Sequence, residues 1–171
     1  MNAKLASASH TIMNEIVLPN DTNTLNNLMG GRLLHLMDIG AAMAAQKHSN
    51  RIVVTASVDN VSFKAPIRLG DVVTIHAKIT RSFNSSMEIR IDVWSENIPS
   101  GRKEKSNEAY YTFVAVDQTG RPIPVPTVTV ETEEEQKLFD GALRRRQLRL
   151  VLAGKMKAQD ATELKALFAQ E

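Results

Sequence analysis

One acid, Asp38, sits inside the largely apolar run "GRLLHLMDIGAAMAA" (Gly31–Ala45). On a helix its neighbours at i−4, i+3 and i+4 are Leu34, Ala41 and Ala42, all apolar. A buried, unpaired carboxylate is costly and tends to hold its proton, so a chain retains one that is paired, capping or chemically used. A mid-helix position excludes capping. Two readings stay open: a carboxylate satisfied by water or a hydroxyl, and a functional acid. Gly30 and Gly31 stand just before the run. The free N–H groups of a helix start attract negative charge, and glycines clear the approach; a simple turn explains the pair equally well. At 1.5 Å per residue, Gly31 lies about 10 Å along the axis from Asp38. That is long for one site unless a substrate spans it or a second chain contributes. Asn23, in the preceding loop, could polarise a carbonyl or orient a water, or close an Asx turn.

Bulk properties remove several other chemistries. The 171 residues contain no cysteine, which excludes disulfides, thiolate nucleophiles and cysteine metal sites. Four histidines (His10, His35, His48 and His76) show no metal-ligand spacing, so no metal or cofactor is expected. His48 falls near the end of the helical run, where a cation is favoured, and His76 alternates with the polar side of a strand. A formal net charge of +2 gives little basis for nucleic-acid binding. The triplet Arg144–Arg146 reads as a solvated face. No apolar run has the length of a membrane span and the N-terminus lacks a signal-peptide core, so a cytoplasmic location without membrane association is expected.

The elements that must position Asp38 and Asn23 follow from periodicity. Thr11–Pro19 reads as a short strand, with apolar residues at Ile12, Ile16 and Leu18. Helical spacing runs from about Gly31 to Lys47, and the small residues of "GAAMAA" predict a helix closely approached by other backbone. Four β segments follow. In the first, Arg51–Phe63, Ile52, Val54, Ala56 and Val58 alternate. In the second, Val73, Ile75, Ala77 and Ile79 line one face; in the third, Met87, Ile89, Ile91 and Val93 do. The fourth, "NEAYYTFVAVD", is apolar on both sides, as a central strand is. One enclosed helix and an antiparallel sheet give an α+β domain over residues 1–130. Residues 131–171 form a helical extension, with capping-box spacing at Thr132/Glu135 and again at Asp160/Glu163.

The ordered motifs "DTNTLNNLMGGRLLHLMDIGAAMAA", "VVTASVDNVSFKAPIRLGDVVTIHAKITRSFNSSMEIRIDV" and "VPTVTVETEEEQKLFDGALRRR" resemble the hotdog-fold acyl-CoA thioesterases of the cytosolic acyl-CoA hydrolase type. The resemblance spans about residues 11–147. It differs mildly: Asn26-Asn27 stands where Gly-Asn or Gly-Asp is usual, and "MDIGAA" replaces "MDEVAA"-like runs.

The resemblance implies a hotdog fold, an antiparallel sheet wrapped around one long central helix. It implies hydrolysis of acyl-CoA to free CoA and a carboxylic acid. Two protomers would join their sheets edge to edge, commonly as a trimer of dimers, which is a hexamer. Asn23 and Asp38 would form the catalytic pair from opposite protomers, with Asp38 as general base or nucleophile. Backbone N–H groups at Gly31 and Arg32 would hold the thioester oxygen. Lys64, Arg81 and the turn Asn84, Ser85 and Ser86 would meet CoA phosphates, and the acyl pocket would lie near Met37 and Phe63. CoA enters as part of the substrate, not as a cofactor. The alternatives are a hotdog hydratase or dehydratase, which would want a histidine beside the acid, and a non-catalytic acyl-CoA sensor.

Overall fold

The computed structural model describes residues 1–59 and 61–169. Asn60, inside the expected β segment Arg51–Phe63, and the last two residues lie outside the described residues. The chain divides into two compact units, Met1–Thr129 and Val130–Glu171.

The first unit holds strands β1 (Lys4–Leu5), β2 (Thr11–Ile16), helix α1 (Gly30–Ser49), and strands β3 (Ile52–Asp59), β4 (Val72–Ser82), β5 (Ser86–Asn97), β6 (Arg102–Val116) and β7 (Val128–Thr129). Five of the strands form an antiparallel sheet in the order β2-β4-β5-β6-β3. The short parallel pair β1–β7 has no signal in the sequence. The alternating segments behave as expected. Val73, Ile75, Ala77 and Ile79 of β4 and Met87, Ile89, Ile91 and Val93 of β5 are buried, on the sheet face that receives α1.

Small side chains let α1 sink onto that face. Gly40, Ala41, Ala44 and Ala45 are all buried. A Cβ at Gly40 would come within 3.2 Å of Ile75 Cγ2 and 3.3 Å of Met13 Sδ, so a methyl there would require these side chains to give way. Enclosure is incomplete: His35, Ile39 and Gln46 leave one side of α1 exposed. The helix ends at Asn50, whose left-handed φ of 53° and N–H to the Gln46 carbonyl close the last turn.

The two edge strands depart from the sequence reading. In β2 the residues facing α1 are Thr11 and Met13; Ile12 and Ile16 face the other way and are exposed. Alternation identifies two faces but not which one is core. In β3 a bulge between Thr55 and Ser57 breaks the alternation. Val53, Thr55 and Val58 share the face of Ala115, Phe113 and Tyr111, whereas Ile52 and Val54 lie on the opposite face. Ile52, Val54 and Val58 remain 57%, 47% and 44% exposed, on a strand whose outer edge is unpaired among the described residues.

His48 also departs. It is buried, and its Nε2 donates to the Pro126 carbonyl at 2.8 Å. Burial, helped by the charge of Lys4, outweighs that bond and holds the ring below the ordinary histidine range. Desolvation disfavours the cation expected at this helix end. His76 is half-buried and stacks on His10, with ring centroids 5.4 Å apart.

The second unit contains α2 (Glu133–Leu152) and α3 (Thr162–Phe168). Thr132 Oγ1 caps α2 by accepting from Glu135 N–H at 3.1 Å. Glu135 answers to the N–H of Glu131 at 2.8 Å, one residue before the cap. The second expected box does not form: Ala161 is the cap residue of α3, without a side-chain bond, and Gln147 Oε1 instead accepts from Leu164 N–H at 2.9 Å. Arg144–Arg146 are half-buried rather than solvated. Arg145 folds back to donate to the Leu138 carbonyl at 2.7 Å.

One buried carboxylate organises the start of β4. Asp71 accepts from Arg68 N–H (3.1 Å), Ser95 Oγ (3.2 Å), Asn97 Nδ2 (3.0 Å) and Arg102 Nη2 (3.0 Å). Burial pushes its pKa up, but these bonds and the Arg102 charge together hold it below the ordinary value of 3.8. A depressed folded pKa contributes stability that is complete above the unfolded pKa and lost as pH falls through the folded one. Asp71→Ala should therefore cost about 2–3 kcal/mol in urea unfolding at pH 7, the scale of losing hydrogen bonds to a buried charged group. The deficit relative to wild type should shrink once the pH falls below about 3.8. A pH-independent deficit would show that the charge plays no part.

Candidate active site

Asp38 lies on the flank of the buried stripe of α1, half-buried, where the helix passes β3. Its Oδ1 accepts a 2.7 Å hydrogen bond from Thr55 Oγ1. The hydroxyl-satisfied reading of the acid is thus realised, and its partner is a residue that sequence reasoning does not single out. A threonine in a β-rich segment carries no signal of its own; the pairing appears only once β3 is laid beside α1. The Thr55 bond engages one oxygen and fixes the carboxylate against rotation. Oδ2 is left as the oxygen that can accept another proton.

Tyr111 of β6 holds the same turn of helix. Its hydroxyl donates to the Leu34 carbonyl at 3.2 Å, one turn before Asp38. Burial, and then the nearby charge of Asp38, push the Tyr111 pKa up to about 12. The phenol therefore stays protonated at neutral pH and remains a donor.

Asn23 belongs to the exposed loop that precedes α1. Its Oδ1 accepts from Leu25 N–H at 2.9 Å and from Asn27 N–H at 3.2 Å, so the Asx turn considered for it is real. The turn also determines its chemistry: with the carbonyl end engaged, the amide NH2 is the end available to a ligand, as a donor. Asn26 at the tip has φ 57°. Such a backbone suits glycine and tolerates asparagine, which accounts for an Asn where the resembling family usually has Gly.

Asn23 lines a cleft of about 370 Å³ together with Gly30, Phe63, Lys64, Ser106 and Asn107. A Cβ at Gly30 would meet Phe63 Cζ at 3.2 Å, so this glycine allows the ring to close over the helix start. Gly31 has a different basis: a Cβ there would meet nothing within 4 Å. Packing inside this chain does not demand a glycine, and an approaching molecule would benefit from one. Leu33 N–H makes the first bond of the helix ladder, to the Met29 carbonyl at 3.0 Å. The amides of Gly30, Gly31 and Arg32 therefore precede the intrahelical bonds. The side chain of Arg32 is occupied by Asp21, at 2.9 Å, which leaves its backbone N–H as the relevant group.

The remaining expected contacts separate. Lys64 lines the cleft with Asn23. Arg81 lies in β4 with its guanidinium 5.7 Å from the Phe83 ring centroid, and it pairs across to Glu88 on the face away from α1. In the turn between β4 and β5, the carbonyls of Asn84, Ser85 and Ser86 accept from Val125, Ala115 and Phe83 N–H respectively. Arg81 and this turn do not line the cleft, and neither does Asp38. Met37 is fully buried behind it, against Asn107, whereas Phe63 is at its mouth. Among the described residues no group of three or more His, Asp or Glu side chains could hold a metal ion.

Comparison with known proteins agrees with this architecture. Residues 25–101 match the Thioesterase superfamily. The chain is 39% identical over 142 residues to the acyl-CoA thioester hydrolase YkhA of Bacillus subtilis, covering 83% of each chain. It superposes on an apo-hexameric acyl-CoA thioesterase with a TM-score of 0.86 and 39% identity, covering 90% of this chain and 98% of that one. It also superposes on the Staphylococcus aureus acyl-CoA hydrolase, solved with butyryl coenzyme A, coenzyme A and coenzyme A disulfide, with a TM-score of 0.82 and 34% identity over 96% of this chain and 99% of that one. Alanine variants of that Staphylococcus aureus protein at an Asn, an Asp and a Thr have been solved, and those positions are successively 15 and 17 residues apart. Asn23, Asp38 and Thr55 have the same two spacings. By sequence and by fold, this chain belongs to the hotdog-fold acyl-CoA thioester hydrolases of the thioesterase superfamily.

Proposed function

We propose that the protein hydrolyses acyl-CoA thioesters to free CoA and a carboxylic acid, with Asp38 as general base. The observation that carries the reading is the Thr55–Asp38 hydrogen bond of 2.7 Å, which orients one carboxylate on the helix and leaves its second oxygen available. In this mechanism Asp38 Oδ2 takes a proton from water as the water oxygen bonds to the thioester carbon. The negative charge that develops on the thioester oxygen is met by the amides at Gly31 and Arg32 and by the NH2 of Asn23. The C–S bond then breaks, and the proton held by Asp38 passes to the departing thiolate, so that water is divided between the acid and the thiol. Lys64 at the cleft meets a CoA phosphate, and Arg81 with the Asn84–Ser86 turn supplies further phosphate contacts.

The unpaired, apolar edge of β3 supports a catalytic dimer. Ile52, Val54 and Val58 are exposed there, and an open edge with such side chains invites a second strand. A second copy paired along β3 would bring its own loop to the strand that carries Thr55, so that each site joins Asp38 of one protomer to Asn23 of its partner. This removes the 10 Å difficulty between helix start and acid. The hexameric relative supports assembly of such dimers into trimers.

Hydratase chemistry is less well supported, because Asp38 bonds to a threonine and three of the histidines are otherwise engaged: His48 with Pro126, and His10 with His76. No helix among the described residues is long and apolar enough to cross a membrane. We place the enzyme in the cytoplasm, since CoA esters are too highly charged to cross a bilayer unaided.

Release of free thiol from acyl-CoAs of graded chain length tests the activity directly; no release at any length would refute it. Asp38→Asn should retain the fold and lower kcat by about 10²–10⁴-fold, the scale of a general base. Thr55→Ala should lower kcat about tenfold with little change in KM, since a charge-assisted bond orienting the base is lost. A variant that alters KM alone would argue against orientation. Asn23→Ala and Asp38→Asn, each inactive alone, should recover roughly a quarter of wild-type activity when co-expressed: half of randomly paired dimers are mixed, and each mixed dimer has one intact site. Failure to complement would place both residues on one chain.

A further inference from the structure

The cleft beside Asn23 has a polar lining that the proposed hydrolysis does not use. Ser106 and Asn107 are each about 1% exposed, and Ser106 Oγ and Asn107 Oδ1 have no hydrogen-bond partner. Both residues line the cleft with Asn23, Gly30, Leu33 and Phe63. The amide end of Asn107 makes only a weak contact, 3.7 Å from Nδ2 to Met37 Sδ. Buried polar atoms without partners are rare, and each costs stability that a better-matched apolar side chain would avoid.

Their shared orientation comes from a bulge. Across β5 and β6, Asn107 is opposite Val93 and Lys105 is opposite Trp94, so Ser106 is the extra residue. In a regular strand adjacent side chains point to opposite faces. Here the inserted residue lets Ser106 and Asn107 both turn toward the α1 side, which is consistent with the burial of both. The bulge thus presents one amide and one hydroxyl to the same space.

We infer that Ser106 and Asn107 select acyl groups carrying a hydroxyl within the first few carbons of the thioester, over plain hydrocarbon chains. The inference rests on the thioesterase reading of the cleft. Asn107 Oδ1 accepts, and Ser106 Oγ both donates and accepts; a hydroxyl, itself donor and acceptor, satisfies both at once, whereas a methylene satisfies neither. Proximity to the thioester follows from Asn23, which lines the same cleft of about 370 Å³. Phe63 and Leu33 supply the apolar walls for the intervening carbons. A site built to hydrogen-bond a substrate hydroxyl discriminates strongly against the analogue that lacks it, because its own polar groups are then left unpaired.

The test is kcat/KM for 3-hydroxybutyryl-CoA against butyryl-CoA, measured by thiol release on the wild type, Ser106→Ala and Asn107→Leu. The wild type should favour the hydroxylated substrate by at least about tenfold, and each variant should bring the ratio toward one. Equal or lower kcat/KM for the hydroxylated substrate in the wild type overturns the inference, and that result needs no variant to fold. A wild-type preference that survives both substitutions also overturns it. If these groups instead held the pantetheine arm, the substitutions would slow both substrates alike and leave the ratio unmoved, which likewise overturns it. Butyryl-CoA hydrolysis without preference leaves the thioesterase reading standing, whereas no thiol release from any acyl-CoA defeats both.

Discussion

The depth to which α1 sits on the sheet governs the rest of the structure. Gly40, with Ile75 and Met13 as near neighbours of any added Cβ, and the buried alanines 41, 44 and 45 set that depth. A helix held this close by its smallest side chains has little freedom to roll. Its rotation then decides which residues flank the buried stripe, and Asp38 is one of them. The hydrogen bond from Thr55 is possible because the β3 edge lies beside that flank, and Tyr111 reinforces the arrangement from β6 through the Leu34 carbonyl. Close packing of apolar and small groups, not polar attraction, carries the carboxylate to its place; the polar contacts then orient it.

Much of this is legible in the residues. The alternation in β4 and β5 and the helical spacing around Met37 are strong because each element has one face fully buried, so burial and periodicity carry the same information. The edge strands are less legible for a related reason. With neither face of β2 or β3 deeply covered in the single chain, apolar residues occur on both, and the alternation at Ile52, Val54, Ala56 and Val58 conceals a bulge that moves Val58 to the other side. Thr55 is invisible in the sequence because its importance lies in a contact across 17 positions of chain, not in a local pattern. The place of His48 at a helix end suggests a favoured cation, but the fold buries it, and desolvation with the charge of Lys4 lowers its pKa.

In the proposed function one side chain, Asn23, serves a turn and a site together. Its carbonyl oxygen ties residues 23–27 into a compact loop, accepting from two backbone amides. The same constraint fixes the plane of its amide and leaves the NH2 as the end not engaged by the turn. From sequence, an Asx turn and a hydrogen-bond donor compete for one side chain. The turn uses the carbonyl oxygen, and the proposed donor role would use the NH2. A donor held by two hydrogen bonds also has little orientational freedom left to lose when a substrate arrives.

The β-bulges carry the same logic into the sheet. Regular strands would alternate their side chains and bury an apolar residue at every second position, an arrangement suited to packing. The bulge after Thr55 lies next to the carboxylate contact, and the bulge at Ser106 turns two polar groups into the cleft. Each sacrifices a ladder position on or beside β6, the strand that also supplies Tyr111. Stability is drawn from the regular stretches of β4 and β5, where Val73, Ile75, Ala77, Ile79, Met87, Ile89, Ile91 and Val93 are buried, while these two irregularities lie beside the carboxylate and the cleft. A sheet relieved of its alternation at those places can aim polar atoms inward, and such atoms are worth their desolvation only when a ligand completes their hydrogen bonds.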